Sequence, residues 1–319
     1  MNDPRGSVWR KWDLHIHTPA SFHWQGGPHF GDMKQSQKDT ALAQILKAVN
    51  NSSVGVFAVM DYWTFDGYLA IKSYAESASE KLSKPIFPGM ELRIEAPVDF
   101  RLNIHVLLSD RLSKQQLQDF KSKLKIGLIN KTLSDESLIA FAKKLDASVA
   151  QKHGFTTADL KDDRKLWELG CKTAKVTRES LEKAIREMPD KTCLIVMPYD
   201  TSDGLMKLDW AKHPYDDSYF MQSAHIFETR SPDNIDLFLG RRTKSNEKIF
   251  DNFMKTLGGK PKPAVSGSDA HKISDYGAFP GDRITWIKAD PTFEGLLQVV
   301  NEPEGRSFIG EIPPKLLRV

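Results

Sequence analysis

The feature of this 319-residue sequence that most restricts its fold is a series of short apolar runs, each followed by polar or turn-forming residues. The runs read WDLHIHT, GVFAVMD, IFPGMELRI, NIHVLLS, CLIVMPYD, HIFETR, KPAVSGSDAH and RITWIKA. Several do not alternate apolar with polar residues, which is typical of strands buried on both faces. Segments with helical spacing separate many of these runs. Strands that alternate with helices predict an α/β protein with a parallel sheet or barrel.

One long stretch, about 111 to 190, departs from this alternation, because it is rich in Lys and Glu and has helical spacing nearly throughout. It lacks the His and Asp clusters found elsewhere in the chain. No linker rich in Pro, Gly or Ser divides the sequence convincingly. We therefore expect residues 1–319 to form a single domain, in which residues 111–190 are a helical insertion that lies in an outer layer or above the functional site.

The bulk composition excludes several classes of protein. The net charge of +3 is too small to indicate a nucleic-acid-binding protein by itself, although a local basic face would fit within it. No apolar run approaches the roughly 20 residues of a membrane helix, and the first residues lack the apolar region of a secretory signal. Only Cys171 and Cys193 are present, which argues against a disulfide framework. We expect a cytoplasmic protein without a membrane role.

Side chains that bind metals follow several of the predicted strands. The residues in question are His15, His17, Asp61, Glu91, Asp269 and His271, and His105 lies within its own strand. Because the carboxyl ends of parallel strands meet at one rim, these side chains should converge there. His15 and His17 are two residues apart on a strand, so they point to the same face and can bind one ion. Imidazole and carboxylate ligands favour Zn²⁺, Mn²⁺ or Fe²⁺ over Mg²⁺.

Five segments resemble, in order along the chain, the motifs of the PHP (polymerase and histidinol phosphatase) superfamily of metal-dependent phosphoesterases. These are DLHIHTPAS, VMDYWTFDG, GMEL, NIHVLL and GSDAHK. The form KWDLHIHTPAS, the Tyr after the second-motif Asp and the closing GRSFIGEIPPKLLRV are most similar to the N-terminal PHP domain of TrlF-type proteins. The resemblance implies a distorted (β/α)7 TIM-like barrel with its metals at the carboxyl rim. It also implies an SMC-like AAA ATPase as a partner, in cis or in trans.

The same resemblance implies two or three divalent metal ions and a set of ligands for them. That set is His15, His17, His23, Glu91, His105, Asp269 and His271. Glu91 would bridge the first ion, held with the paired histidines and Asp269, to a second ion that also binds His105. His23 and His271 would contribute to a third position.

Two departures from the family pattern bear on these ions. The second motif usually reads Asp-His, whereas this chain has Asp61 followed by Tyr62. The histidine usually found after the strand CLIVM is replaced by Pro198, Tyr199 and Asp200. We therefore expect the second and third ions to be bound more weakly. Tyr62 could bind as a phenolate, hydrogen-bond a bound water or simply pack at the rim.

The implied reaction is the hydrolysis of a phosphoester. Two ions that share a carboxylate can activate water and stabilise the entering and leaving oxygens of a phosphoryl group. Our catalytic candidates are Glu91 as the bridge, His271, Asp61 and Arg283, which could clamp a substrate oxygen, as could Arg230. Asp61 could be a metal ligand, a partner that orients a ligating histidine, or a general acid or base.

Three functions fit these features. The first is a nuclease or other phosphodiesterase that acts on DNA or RNA with the ATPase, in nucleic-acid surveillance or defence against phage. The second is a phosphatase of small monoesters, and the third is a PHP module that has lost catalysis and serves in docking. Aromatic residues near the rim, such as Trp24 and Trp63, would favour the first function if they stack bases, and a nucleic-acid substrate would need a basic track leading to the rim. The candidates for that track are Arg241, Arg242, Lys244, Lys260 and Lys262.

Overall fold

The computed structural model describes residues 7–313 of the chain. The first six residues and the last six, which include the end of the closing GRSFIGEIPPKLLRV motif, lie outside this range. The strands are β1 (Trp9–Ile16), β2 (Val56–Val59), β3 (Ile86–Ile94), β4 (Leu102–Leu108), β5 (Lys125–Ile126), β6 (Lys131–Thr132), β7 (Cys193–Pro198), β8 (Ile226–Glu228), β9 (Ala264–Val265), β10 (Thr285–Lys288) and β11 (Ser307–Ile309). The α-helices are α1 (Gln35–Asn51), α2 (Asp66–Ser77), α3 (Lys114–Lys123), α4 (Asp135–Ala142), α5 (Ala147–Lys152), α6 (Asp163–Thr173), α7 (Arg178–Arg186), α8 (Pro214–Ser223), α9 (Pro232–Phe238), α10 (Glu247–Thr256) and α11 (Phe293–Asn301).

Nine of the strands form one curved sheet in the order β11-β10-β1-β2-β3-β4-β7-β8-β9. The chain beyond β9 returns to β1, where the His17 amide donates to the Ala270 carbonyl and the Asp269 amide donates to the His15 carbonyl. This contact nearly closes a ring of β1, β2, β3, β4, β7, β8 and β9. The predicted fold class, a TIM-like α/β barrel, is therefore confirmed.

The barrel is distorted because its strands do not all run in one direction. β4 pairs antiparallel with both β3 and β7, and β10 pairs antiparallel with the first half of β1. The other strands of the ring are parallel to one another where they pair. The carboxyl ends of β1, β2, β3, β7, β8 and β9 consequently meet at one rim. The start of β4 joins them there, which brings its polar residues to the same end.

The barrel interior is filled by one face of each strand. Phe87, Leu107, Val196 and Ile226 belong to a buried apolar cluster that α11 completes. Because side chains alternate along a strand, the residues two or four positions nearer the rim on the same strands face the same interior. The polar residues at the rim therefore lie directly above this apolar core, on the same inner face of the strands.

The region between β4 and β7 contains α3 to α7, together with the short antiparallel pair β5 and β6. Val176 connects this region to the rim, because it pairs with Ile94 at the end of β3 and with Ile126. The region therefore touches the carboxyl end of the barrel. Its definition as an insertion within a single domain remains a prediction.

Candidate metal centre

His15 of β1 and His17, directly after the strand, face each other inside the barrel mouth. Nε2 of His15 lies 3.2 Å from Nε2 of His17. The pairing of β1 with β2 shifts register between Asp13 and Ile16. This irregularity lets His15 turn inward directly after Leu14, which packs in the interior core. Both rings are almost entirely buried, with exposed fractions of 5% for His15 and 0% for His17.

Glu91 lies between these histidines and a third one on the neighbouring strand. Its Oε2 is 3.4 Å from Nε2 of His15 and 3.5 Å from Nε2 of His17. Its Oε1 is 3.3 Å from Nε2 of His105, which pairs directly opposite Glu91 in the β3–β4 ladder. Asn103 fixes the carboxylate by donating to Oε1 at 2.6 Å. One oxygen of Glu91 thus faces His15 and His17, and the other faces His105.

Asp269 completes the set around the paired histidines. Its Oδ1 lies 3.5 Å from Nε2 of both His15 and His17. The backbone of Asp269 adopts a left-handed conformation with φ of 52°, and its amide donates to the His15 carbonyl. This turn directs the carboxylate toward the two histidines.

The donor atoms of this set have the spacing of a metal site. The separations between Nε2 of His15 and Nε2 of His17, and from each of these nitrogens to the carboxylates of Glu91 and Asp269, run from 3.2 to 3.5 Å. A tetrahedral ion with bonds of about 2.0–2.1 Å to nitrogen and oxygen requires ligand atoms about 3.3–3.4 Å apart. The donor set of imidazoles and carboxylates therefore fits a divalent metal ion.

Glu228, at the end of β8, is a further member of the cluster that the sequence reasoning missed. Its Oε2 accepts a hydrogen bond from Nδ1 of His15 at 3.1 Å and lies 3.5 Å from Nδ1 of His105. Both contacts are to the ring nitrogens that point away from Glu91. A carboxylate in this position holds the proton on Nδ1 and leaves the Nε2 lone pair free for a metal. The only available signal was its position after the apolar run HIF, at the end of a strand.

The electrostatics of the cluster favour charged carboxylates and one neutral histidine. Burial opposes ionisation of Asp269, but the neighbouring His15, His17 and His271 hold its pKa well below the usual range. Burial lowers the pKa of His17 to about 4, so its ring is neutral at physiological pH. Burial also disfavours the imidazolium of His15, yet Glu228 and Asp269 outweigh that effect and raise its pKa.

The residues expected at a third position lie beside the cluster. Nε2 of His271 is 3.3 Å from Oδ1 of Asp269, and its ring stacks on that of His17 at 4.3 Å between centroids. The His23 ring lies 5.7 Å from that of His271 and 5.3 Å from that of Tyr62. Burial and then Glu91 raise the pKa of Tyr62 well above its ordinary value, which disfavours a phenolate ligand. A third ion at His23 and His271 remains a prediction.

Asp61 lies behind His17 and contacts the backbone more closely than the cluster. It accepts hydrogen bonds from the Thr18 amide at 2.7 Å and the Thr18 hydroxyl at 2.6 Å. Its Oδ1 is 3.9 Å from Nδ1 of His17, the nitrogen remote from Glu91. Burial raises the pKa of Asp61 to about 7. Among the described residues, Asp61 makes no hydrogen bond to a histidine, and its three possible roles remain predictions.

The other candidates are not in contact with the cluster. The half-buried Arg283 precedes β10, and Arg230 follows β8. Within residues 7–313, no hydrogen bond or ion pair joins either guanidinium to the metal-binding side chains. Trp24 and Trp63 are buried, with exposed fractions of 6% and 3%, which favours packing over base stacking. Clamping of a substrate by Arg283 remains a prediction.

Three members of the proposed basic track have partners on the protein itself. Arg241 and Arg242 form ion pairs with Asp236 and Asp251. Lys262 donates hydrogen bonds of 2.6–2.9 Å to three backbone carbonyls at the end of α8.

Among the described helices, none is long and apolar enough to cross a membrane.

Comparisons with known proteins give only distant similarities. No protein-family model and no curated protein matches the chain. Among solved structures, the chain is similar to PsfC from Pseudomonas syringae, with 15% identity over 90% of this chain and 87% of that chain and a TM-score of 0.39. It is similar to Endonuclease Q in complex with a 27-mer duplex substrate with an abasic lesion, with 13% identity over 94% of this chain and 58% of that chain and a TM-score of 0.48. It is also similar to a putative metal-dependent phosphoesterase from Bifidobacterium adolescentis, with 11% identity over 83% of this chain and 89% of that chain and a TM-score of 0.38. Similarities at this level assign neither a family nor an activity to the chain.

Proposed function

We propose that this protein is a metal-dependent phosphoesterase of the PHP type that hydrolyses phosphodiester bonds in DNA or RNA. The observation that carries the proposal is the position of Glu91. One of its oxygens faces His15 and His17, and the other faces His105. A carboxylate shared in this way is the ligand expected between two neighbouring metal ions.

The residues divide into two sets around this carboxylate. His15, His17, Asp269 and one oxygen of Glu91 would hold the first ion, and His105 and the other oxygen would contribute to the second. The nitrogen and oxygen donors favour Zn²⁺, Mn²⁺ or Fe²⁺ over Mg²⁺. Two such ions supply an activated water at neutral pH and positive charge for the oxygens of a phosphoryl group.

The protein side chains contribute orientation and charge. Glu228 holds the His15 ring through Nδ1, and Asn103 holds the Glu91 carboxylate, so both donors are fixed before substrate arrives. Fixed donors lower the reorganisation needed in the transition state. His271 lies at the edge of the cluster, beside Asp269, where it could transfer a proton to a leaving oxygen.

The substrate and the partner are the parts of the proposal that depend on the sequence resemblance. We infer a nucleic-acid substrate and an SMC-like AAA ATPase, in cis or in trans, that acts with this chain in the cytoplasm. Nucleic-acid surveillance, including defence against phage, is the setting that this pairing suggests. The resemblance is an analogy, so the assay must test the substrate directly.

The experiment compares single-stranded DNA, duplex DNA, tRNA and a small phosphate monoester in the presence of Mn²⁺, Zn²⁺ or Mg²⁺. We expect cleavage of a nucleic acid that is lost on chelation and in Asp269→Ala. The matched control is Asp251→Ala, which removes a surface carboxylate whose partner is Arg242. Turnover of the monoester alone would identify a phosphatase instead. Absence of turnover with every substrate, despite bound metal, would identify a docking module.

A further inference from the structure

Arg93 is a charged side chain near the rim, and the metal centre does not explain why it is buried. It lies on β3 two residues after Glu91, so both side chains point to the same face of the strand. Its exposed fraction is 0%. Two residues of strand correspond to about 6.6 Å, which places Arg93 beyond the carboxylate in the direction of the rim, where α6 covers it.

Among the described residues, only one nitrogen of the guanidinium has a hydrogen-bond acceptor. Nη1 donates to the carbonyl of Cys171, near the carboxyl end of α6. The planar group lies over the rings of Tyr62 and Phe22, at 5.4 and 5.7 Å from their centroids. Within residues 7–313, Nε and Nη2 are buried and have no acceptor. No carboxylate in that range forms an ion pair with Arg93.

Such an arrangement is costly unless an anion joins it. A buried charge without a partner loses its hydration, and the loss amounts to several kcal/mol in proteins. The carboxylates nearby do not pair with it: Glu91 accepts a hydrogen bond from Asn103 through Oε1, and Asp203 forms its ion pair with Arg101. A purely structural role, attachment of α6 to the barrel, would use Nη1 alone. Trp63 already donates to the same Cys171 carbonyl through its Nε1.

Arg93 is connected to the cluster through Tyr62. Tyr62, which lies beneath the guanidinium, also stacks against the ring of His17 at 5.6 Å between centroids. The guanidinium is therefore one aromatic ring removed from the paired histidines.

We propose that Arg93 binds an anionic oxygen of the substrate's phosphoryl group above the metal centre, through Nε and Nη2. This inference rests on the proposed phosphoesterase function and names a residue for it that the motif comparison did not include. Nε and Nη2 lie on one edge of the guanidinium, and this edge matches two oxygens of a tetrahedral phosphate. The Cys171 carbonyl and the two rings hold that edge in a fixed orientation. Arg93, rather than Arg283, would then supply the positive charge beside the phosphoryl oxygens.

The test measures binding of inorganic phosphate by calorimetry to the Mn²⁺-loaded protein, with metal content determined for every variant. We expect Arg93→Met to weaken phosphate binding at least tenfold at unchanged metal content, and Arg93→Lys to weaken it less. With the substrate found for the enzyme, Arg93→Met should lower kcat/KM by about 10²–10³, as for the loss of one oxyanion donor. The matched control is Trp63→Phe, which removes the other donor to Cys171 and should leave phosphate binding unchanged.

The proposal is overturned if Arg93→Met binds phosphate as the wild type does, if Trp63→Phe weakens binding equally, or if the wild type binds no phosphate. If Arg93→Met does not fold, Arg93→Lys tests the proposal in its place, because Lys retains the charge but lacks the edge formed by Nε and Nη2. Failure of the proposed function gives a different result. In that case the wild type turns over no ester, whereas phosphate binding would still depend on Arg93.

Discussion

Replacement of Glu228 by Gln tests how the barrel presents its imidazoles. The substitution retains the size of a buried side chain and removes its charge. In the wild type, Oε2 lies 3.1 Å from Nδ1 of His15 and 3.5 Å from Nδ1 of His105. One carboxylate therefore hydrogen-bonds the His15 ring and lies close to the corresponding nitrogen of the His105 ring. The amide of Gln has one oxygen, which can accept a good hydrogen bond from only one of the two rings. The amide is also neutral, so it no longer stabilises the charge that develops on a metal-bound imidazole.

The expected loss follows from this double role. Removal of one such supporting partner typically costs 10- to 100-fold in metal affinity. That range corresponds to about 1.4–2.7 kcal/mol. Glu228 supports two rings, one in each ligand set, so we expect Glu228→Gln to lie near the upper end of the range. The number of ions bound at saturation should not change, because Nε2 of both histidines remains available.

The assay is a competition titration of Mn²⁺ or Zn²⁺ against a chelator of known affinity, with total metal measured at saturation. The matched control is Asp200→Asn. Asp200 is a rim carboxylate that accepts from the amides of Arg230 and Ser231 at 2.8 Å, and it makes no hydrogen bond to the cluster within the described range. This control should lose stability and retain metal affinity. Wild-type affinity in Glu228→Gln would refute the supporting role, and the loss of a whole equivalent of metal would mean that Glu228 is itself a ligand.

Three further predictions concern the bridge, the outer core and a half-buried acid. Glu91→Gln should bind at least one fewer equivalent of metal and lose turnover, and full metal content with full turnover would contradict the bridging role. Phe238→Ala should lower the free energy of unfolding by about 3–5 kcal/mol in urea titrations, because its ring is fully buried and stacks on Phe227 at 4.0 Å. Burial raises the pKa of Asp217 to about 6, so its charge destabilises the folded state above pH 6 and this penalty disappears as pH falls toward 4. The Tm advantage of Asp217→Asn over the wild type should therefore be greater at pH 7 than at pH 4.5, and a constant difference would refute the shift.

Several properties of the fold and site could be read from the local sequence. Strand and helix periodicity predicted an α/β protein with a parallel sheet or barrel, because each period reflects which side chains of a single element are buried. The motif resemblance implied the barrel. The spacing of His15 and His17 predicted that they share a face, and the structure places their Nε2 atoms 3.2 Å apart. Glu91 and His105 were candidates from strand-end position and motif resemblance, and the β3–β4 ladder pairs them directly.

Other features depend on residues far apart in the chain. Glu228 looks like any acid after a short apolar run, and only barrel closure brings it to His15, which is 213 positions earlier in sequence. Arg93 looks like an exposed charge in a strand, and only the approach of α6 buries it beneath Cys171. The sequence by itself determined the periodic backbone and the residues at each strand end. The tertiary structure alone decided which ring nitrogens face the metal centre and which charges lose contact with water, because both depend on contacts between distant strands.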